Sequence, residues 1–415
     1  VITAWLARRV ERRTSSRTTL GVPLAARQVS RRIASYVIPI ALVTVTVGTA
    51  TFTAAYAQTT SRSQEAASQL GNGSDVRVAV PGPLVIRSAD DVPALNTFAE
   101  REAVTAASLA YRGEARLASI TAPLLAVDAG SLPGLLDDGA NLVNVGELAG
   151  ALAFEPPVPE PALTLSPSAT QIRMQFTSTG TSEAADDGAT TRTASVTVWI
   201  RTEAGNLVPA PAGTLALSGA GDQAHSLSFA LPEGLRPAAI AAIDIALEPS
   251  EAARGYELEI TSVSSDGGIG TGQGRFTEDS SLQLAAGVFG AAQSGVQPLE
   301  TGVGVRFPEE GSTVGTAQAR LMVEAQDSPP LPVALTAELL ADLDLAVGEP
   351  VSLRPGGVEI EGVVAAVAPV LSGTTESTAV LADLQAYSHA SLASSPAPPR
   401  PGEIWLASSD RDATA

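Results

Sequence analysis

Two histidines, His225 and His389, together with no cysteine and no lysine, limit what this 415-residue chain does chemically. A phosphate-binding P-loop needs a lysine beside its last glycine. The chain has none, so nucleotide hydrolysis belongs to a partner wherever it occurs. Without cysteine there is no disulfide, thiolate metal site or cysteine nucleophile. The histidines lie far apart, one to a domain, which argues against a His-rich metal site. A serine triad is not excluded by counting, but the nucleophile-elbow pattern G-x-S-x-G is missing. Gly311-Ser-Thr-Val-Gly315 carries its serine one place early. With no partner motif for either, His225 at a strand start and His389 in a Ser-rich stretch both read as surface residues.

Glycine and acid clusters are equally spare. Gly267-Gly-Ile-Gly-Thr-Gly-Gln-Gly274 fails the dinucleotide pattern in register, because Gln273 and Arg275 occupy the third-glycine positions. It reads as a linker. Asp137-Asp138-Gly139, Asp186-Asp187-Gly188 and Glu309-Glu310-Gly311 are turn-like, and none has calcium-loop spacing. Trp199 alternates on a strand between Val198 and Ile200, facing either core or a ligand groove, with core favoured for so large a ring. No catalytic, cofactor-binding or metal-binding residue is assigned. No cofactor is expected, and the chain reads as non-enzymatic.

The elements that carry these residues begin at a membrane. Residues 33 to 61 contain no charged residue, and a bilayer core of about 30 Å needs roughly 20 apolar residues in a helix. A transmembrane helix is expected over 33–58, with Pro39 tolerated inside it and Tyr36 and Tyr56 at its interfaces. Residues 1–32 hold eight arginines and one glutamate, a net of +7, so the chain's −19 leaves −26 for the rest. Basic flanks mark the cytoplasmic side. The N-terminus is therefore expected inside, and everything after about residue 61 outside. Ala55-Tyr56-Ala57 has the small-x-small pattern of a signal cleavage site, but a basic region of 32 residues and so long an apolar run are unlike a signal peptide. Within 1–32, Leu20 to Arg32 reads as a short basic amphipathic helix or a solvated flank. The acidic remainder disfavours nucleic acid, and the absence of cysteine suits a bacterial cell envelope.

Beyond the span, residues 62–155 read as α+β. Asp75–Val80, Thr105–Leu117 and Ile120–Asp128 are expected to be extended, and Ala89–Arg101 and Leu132–Leu136 helical. Pro156-Pro157-Val-Pro159-Glu-Pro161 is a break. Residues 162–265 carry short alternating strands separated by Gly, Pro and Asn turns, the pattern of a β-sandwich. Residues 276–415 return to α+β, with a strand at Ala319–Ala325 and a helix at Thr336–Leu343 ended near Gly348. The fold class expected is α+β: one N-terminal membrane helix, then a mixed ectodomain in two halves with an inserted sandwich.

The order of these elements, with Leu339 to Gly348, Val351 to Leu353, Gly356-Gly357, Glu361 to Pro369, Val380 to Leu384 and the earlier Leu124-Leu-Ala-Val-Asp128, resembles bacterial ABC-transporter permeases of the FtsX/MacB-like family, actinobacterial type. Family members close the ectodomain with further membrane helices. The resemblance therefore implies a fragment covering one membrane helix and its extracytoplasmic domain. It implies a permease component in the bacterial plasma membrane that couples a separate cytoplasmic P-loop ATPase to transport or mechanical signalling. Membrane lipid and a second permease copy are the further partners it suggests. The other reading is a single-span envelope protein whose sandwich binds glycan or protein, which rests on fold analogy alone.

Overall fold

The computed structural model describes residues 9, 33–82, 95–99, 101–136, 143–155, 163–180, 191–218, 221–232, 235–248, 255–266, 283–284, 297–299, 303–307, 317–322, 329–395 and 398–409. It forms two compact units, Val1–Ser68 and Gln69–Ala415. The glycine run 267–274, the Pro-rich break, the three acidic clusters and Gly311–Gly315 lie outside the described residues, as does most of the helix expected at 89–101.

Helix α1 is Ile33–Asn72. Its Ile38–Ser61 segment is long and apolar enough to cross a membrane, and none of it is buried among the described residues. Ile38, Leu42, Val45, Phe52 and Tyr56 are all more than half exposed. Thr44, Thr46, Thr49, Thr51 and Thr59 each donate their hydroxyl to the carbonyl four residues earlier, at 2.6–2.9 Å. That pairing satisfies these five hydroxyls within the helix itself. The helix does not stop near residue 58 as expected. From Thr59 to Leu70 there is neither glycine nor proline to break it, and Gly73, with φ 77°, provides the left-handed residue that ends it.

In the folded unit β1 (Val76–Ala79), the short α2 (Asn96–Ala99), β2 (Val104–Leu117) and β3 (Ile120–Val127) come first. The brief helices α3 (Leu132–Leu135) and α4 (Val145–Leu152) follow. Next come β4 (Gln171–Gly180), β5 (Arg192–Thr202), β6 (Leu207–Leu217), β7 (Asp222–Ala230), β8 (Pro237–Leu247) and β9 (Tyr256–Ser265). Four shorter strands continue: β10 (Gln283–Leu284), β11 (Gln297–Pro298), β12 (Gly304–Phe307) and β13 (Ala317–Met322). The chain ends with β14 (Leu331–Thr336), α5 (Ala337–Asp342), β15 (Pro350–Pro355), β16 (Ile360–Ala368), β17 (Val380–Asp383), α6 (Leu384–Ser394) and β18 (Glu403–Ser408).

Strands β1–β3 and β14–β18 make one eight-stranded sheet. Six of them close a ring of hydrogen bonds, β2-β15-β16-β14-β17-β3 and back to β2, and β18 and β1 extend it along the first half of β2. Alternation sorts the side chains. Leu124, Ala126, Val333, Leu335, Val380 and Ala382 join one core, whereas Leu125, Val127, Ala334 and Leu381 join another with α3 and α4. The first core is the ring's interior. Helix α6 packs against β2, β3, β14, β16 and β17. A helix touching five of the six ring strands lies across the ring's mouth.

Strands β4–β13 form two five-stranded sheets, β10-β13-β8-β5-β6 and β11-β12-β9-β4-β7, over one shared core. Here the structure corrects an expectation. The strand read from sequence at Ala319–Ala325 as part of the 276–415 segment is β13, paired along its length with β8. Ala319 and Leu321 enter the sandwich core, and Arg320 stands directly opposite Asp244. The eight-stranded sheet resumes only at Leu331.

Candidate functional site

Two buried tryptophans organise the folded unit. Trp405, on β18, is 1% exposed. Its ring lies against Gly73, where a Cβ would sit 2.7 Å from Cη2, and against Gly373, where it would sit 2.5 Å from the same atom. Gly373 also has φ 96°. A side chain at either position meets both a clash and a left-handed backbone. Gly73 directly follows the last residue of α1, so the chain leaving the helix is gripped by the tryptophan. Two further contacts fasten it. The Asp75 carboxylate accepts from the Ser408 N–H at 3.1 Å, and Gly71 lies close to the Thr375 methyl. Trp405 Nε1 donates to Glu403 Oε2 at 2.8 Å. Arg112 Nε donates to Glu403 Oε1 at 3.0 Å, and Arg77 flanks the same carboxylate at 3.7 Å. Together these contacts fasten the residues after α1 to β18.

Neither histidine is a surface residue. His389 lies on α6, 4% exposed, its ring 5.7 Å from Phe154. The Ser-rich stretch around it is a helix capped by Asp383, whose side chain accepts from the Ala386 N–H at 2.8 Å. His225 is half-buried on β7, with Nε2 2.7 Å from the Ser178 hydroxyl. Burial pushes its pKa below 6.5. A Ser–His contact is half of a nucleophilic site; here it is a cross-strand pair between β4 and β7. Trp199 is core, as favoured, at 2% exposed.

Two aspartates end the parallel neighbours β3 and β17. Asp128 accepts from the Gly130 N–H and the Ser131 hydroxyl. Asp383, 3% exposed, accepts from the Ala129 and Ala386 N–H groups at 2.8 Å each. Burial raises the Asp383 pKa above 3.8. Both carboxylates are filled by local donors and act as helix caps. The rings of Tyr111 and Tyr387 lie 5.2 Å apart, tilted by 36°, among the β2 and α6 residues of the ring's core. Burial pushes both phenols up, so neither supplies a phenolate near neutral pH. Among the described residues, no three His, Asp or Glu side chains are grouped to hold a metal ion.

A hollow of about 530 Å³ lies at one end of the sandwich between Pro167–Gln171 and Ala230–Leu231. Its only carboxylate, Asp266, is already held by the Thr170 and Gln171 N–H groups. No family model, no curated protein and no solved structure matches the chain.

None of the anchor was assigned from sequence. Gly73 and Gly373 are single glycines in turn-like contexts, and only the fold brings them together at one edge of the indole.

Proposed function

We propose that this chain is the membrane-embedded permease component of a bacterial ABC transporter. It couples a separate cytoplasmic P-loop ATPase to transport or mechanical signalling across the envelope. The N-terminus is cytoplasmic and the β-rich unit extracytoplasmic, arranged as two α+β halves with an inserted sandwich. The observation that carries the reading is α1: one hydrogen-bonded helix holds both the apolar Ile38–Ser61 segment and the residues that lead to the Trp405 anchor. At about 1.5 Å per residue its 40 residues extend roughly 60 Å, twice a bilayer core of about 30 Å. A continuous helix passes displacement along its axis, and a glycine-gripped indole is a firm place to receive it. The basic flank before the helix supports the orientation.

A second reading, a single-span envelope protein whose sandwich binds glycan or protein, is favoured by the open hollow near Thr170, whose volume suits a small ligand. One experiment separates the two. The native protein is isolated from its own membranes and what accompanies it is identified. A stoichiometric P-loop ATPase, with hydrolysis altered by removing residues 20–32, supports the permease. Isolation without any ATPase overturns it and leaves the binding protein.

A further inference from the structure

Helix α6 belongs to the eight-stranded sheet by sequence and packing, yet both its ends are held by the sandwich. At its start, Gln385 Nε2 donates to the Ala204 carbonyl at 2.9 Å. Ala204 lies in the β5–β6 turn, and the neighbouring Gly205 is so close to Gln385 that a Cβ there would meet its amide at 2.3 Å. At its end, Leu392 packs with Trp199, Leu207, Ala241, Ala242 and Met322 of the sandwich.

Arg320 closes this second contact. Its side chain is wholly buried. Nε and Nη2 bind the two oxygens of Asp244, the latter at 2.7 Å. Trp199 Nε1 donates to Asp244 Oδ2 at 2.9 Å, and the guanidinium carbon stands 5.3 Å from the Trp199 ring. Nη1 reaches out of the sandwich and donates to the carbonyls of Leu392, at 2.6 Å, and Ser395, at 2.7 Å. A helix leaves its last carbonyls without partners and concentrates negative partial charge there. Basic side chains in the last turn usually answer this, and α6 has none. The cation comes instead from a strand of the other body.

We infer that Arg320 is a latch that fixes the sandwich to the ring through the C-terminal carbonyls of α6, so that the two move as one rigid body. With the turn at Ala204 holding Gln385 near the other end, the contacts lie seven to ten residues apart along the helix, about 10–15 Å. Two fastenings that far apart resist rotation as well as separation. The inference does not rest on the transporter reading; an anchored binding protein would carry the same latch.

The test uses the full chain in lipid nanodiscs. The chain has no cysteine, so spin labels attach only at Ala224→Cys on the sandwich and Ser352→Cys on the ring, both exposed. Pulsed EPR then gives the distance between the two bodies. The unaltered latch is expected to give one narrow distribution. Arg320→Met combined with Asp244→Leu removes the bonds to α6 without leaving a buried charge alone, and is expected to at least double the width. Arg320→Lys, which keeps the charge but lacks the planar fork, is expected to broaden it less. It carries the test alone if the double variant does not fold. An unchanged width in the folded variant overturns the latch, as does a broad distribution in the unaltered protein.

Discussion

The ring and the sandwich each bury a tryptophan whose indole N–H binds a carboxylate that in turn binds an arginine. In the sandwich these are Trp199, Asp244 and Arg320; in the ring, Trp405, Glu403 and Arg112. The chemistry is the same and the setting is not. Arg320 has no exposed side-chain surface, whereas Arg112 keeps 31% of its own. A wholly buried ion pair forfeits so much hydration that it persists only with every donor used, and Arg320 uses its surplus donors on α6. A partly exposed pair keeps water as an alternative partner and ties only neighbouring strands of one sheet. Burial, more than residue type, decides whether such a group joins two bodies or decorates one.

The largest effect expected breaks this comparison at the sandwich. Arg320→Met strands Asp244 among apolar neighbours and should cost about 3–5 kcal/mol, measured by urea unfolding. Arg112→Met should cost less than about 1 kcal/mol, as partly solvated pairs do. Equal losses would mean that exposure does not distinguish the two groups. Adding Asp244→Leu to Arg320→Met should recover most of the loss.

Next in size is the ring's own tryptophan, which is positioned by glycine and not by charge. Gly373→Ala brings a methyl to 2.5 Å from the indole on a backbone at φ 96°. Overpacking and left-handed strain together should cost about 2–4 kcal/mol. Gly348→Ala, also at positive φ but with open space around it, serves as the control and should cost only the backbone part, about 1 kcal/mol. If both cost the same, the indole yields and the anchor is soft.

These positions also mark what sequence patterns reveal and what they conceal. Period-two alternation located β4 and β5, because alternate residues of each enter the sandwich core. The apolar run located the span. The far end of α1 was hidden because charge ends a membrane segment without ending a helix. Helix α6 was hidden because Tyr387-Ser-His-Ala-Ser391 is buried nearly all round and so has no apolar stripe to read. Strand β13 looked like any other; only pairing with β8 across some 70 residues of chain assigns it to the sandwich. Long-range closure of this kind leaves no local trace, and both tryptophan anchors depend on it.

A third carboxylate sharpens the comparison, since it is buried with no arginine at all. Asp383 is satisfied by backbone N–H groups alone, and desolvation holds its pKa above 3.8. The folded protein therefore binds this proton more tightly than the unfolded chain. The stability tied to it is present below the ordinary carboxylate value and is lost as pH rises through the raised one. Asp383→Asn keeps the cap, because asparagine caps helices as well as aspartate. Urea midpoints of the unaltered protein should fall relative to those of Asp383→Asn as pH climbs above about 4. A constant difference between the two would mean that the N–H groups fully replace water around the carboxylate.

The smallest effect has the opposite sign and belongs to the sandwich. Burial lowers the His225 pKa below 6.5, so the folded protein binds this proton less tightly than the unfolded chain. The stability tied to neutral His225 is complete above pH 6.5 and is lost as pH falls below it. The ring is half-buried and water screens part of the penalty, so the shift in midpoint should be small beside that of Asp383. His225→Gln, which keeps a hydrogen-bonding partner for Ser178, should remove the decline between pH 6.5 and 5 and leave the Asp383 slope intact. Two groups, one in each body, then give slopes of opposite sign: as pH rises the Asp383 contribution falls and the His225 contribution grows. If His225→Gln instead steepens the decline, the imidazole is charged in the fold and Ser178 accepts its proton, which reverses the roles assigned to this pair.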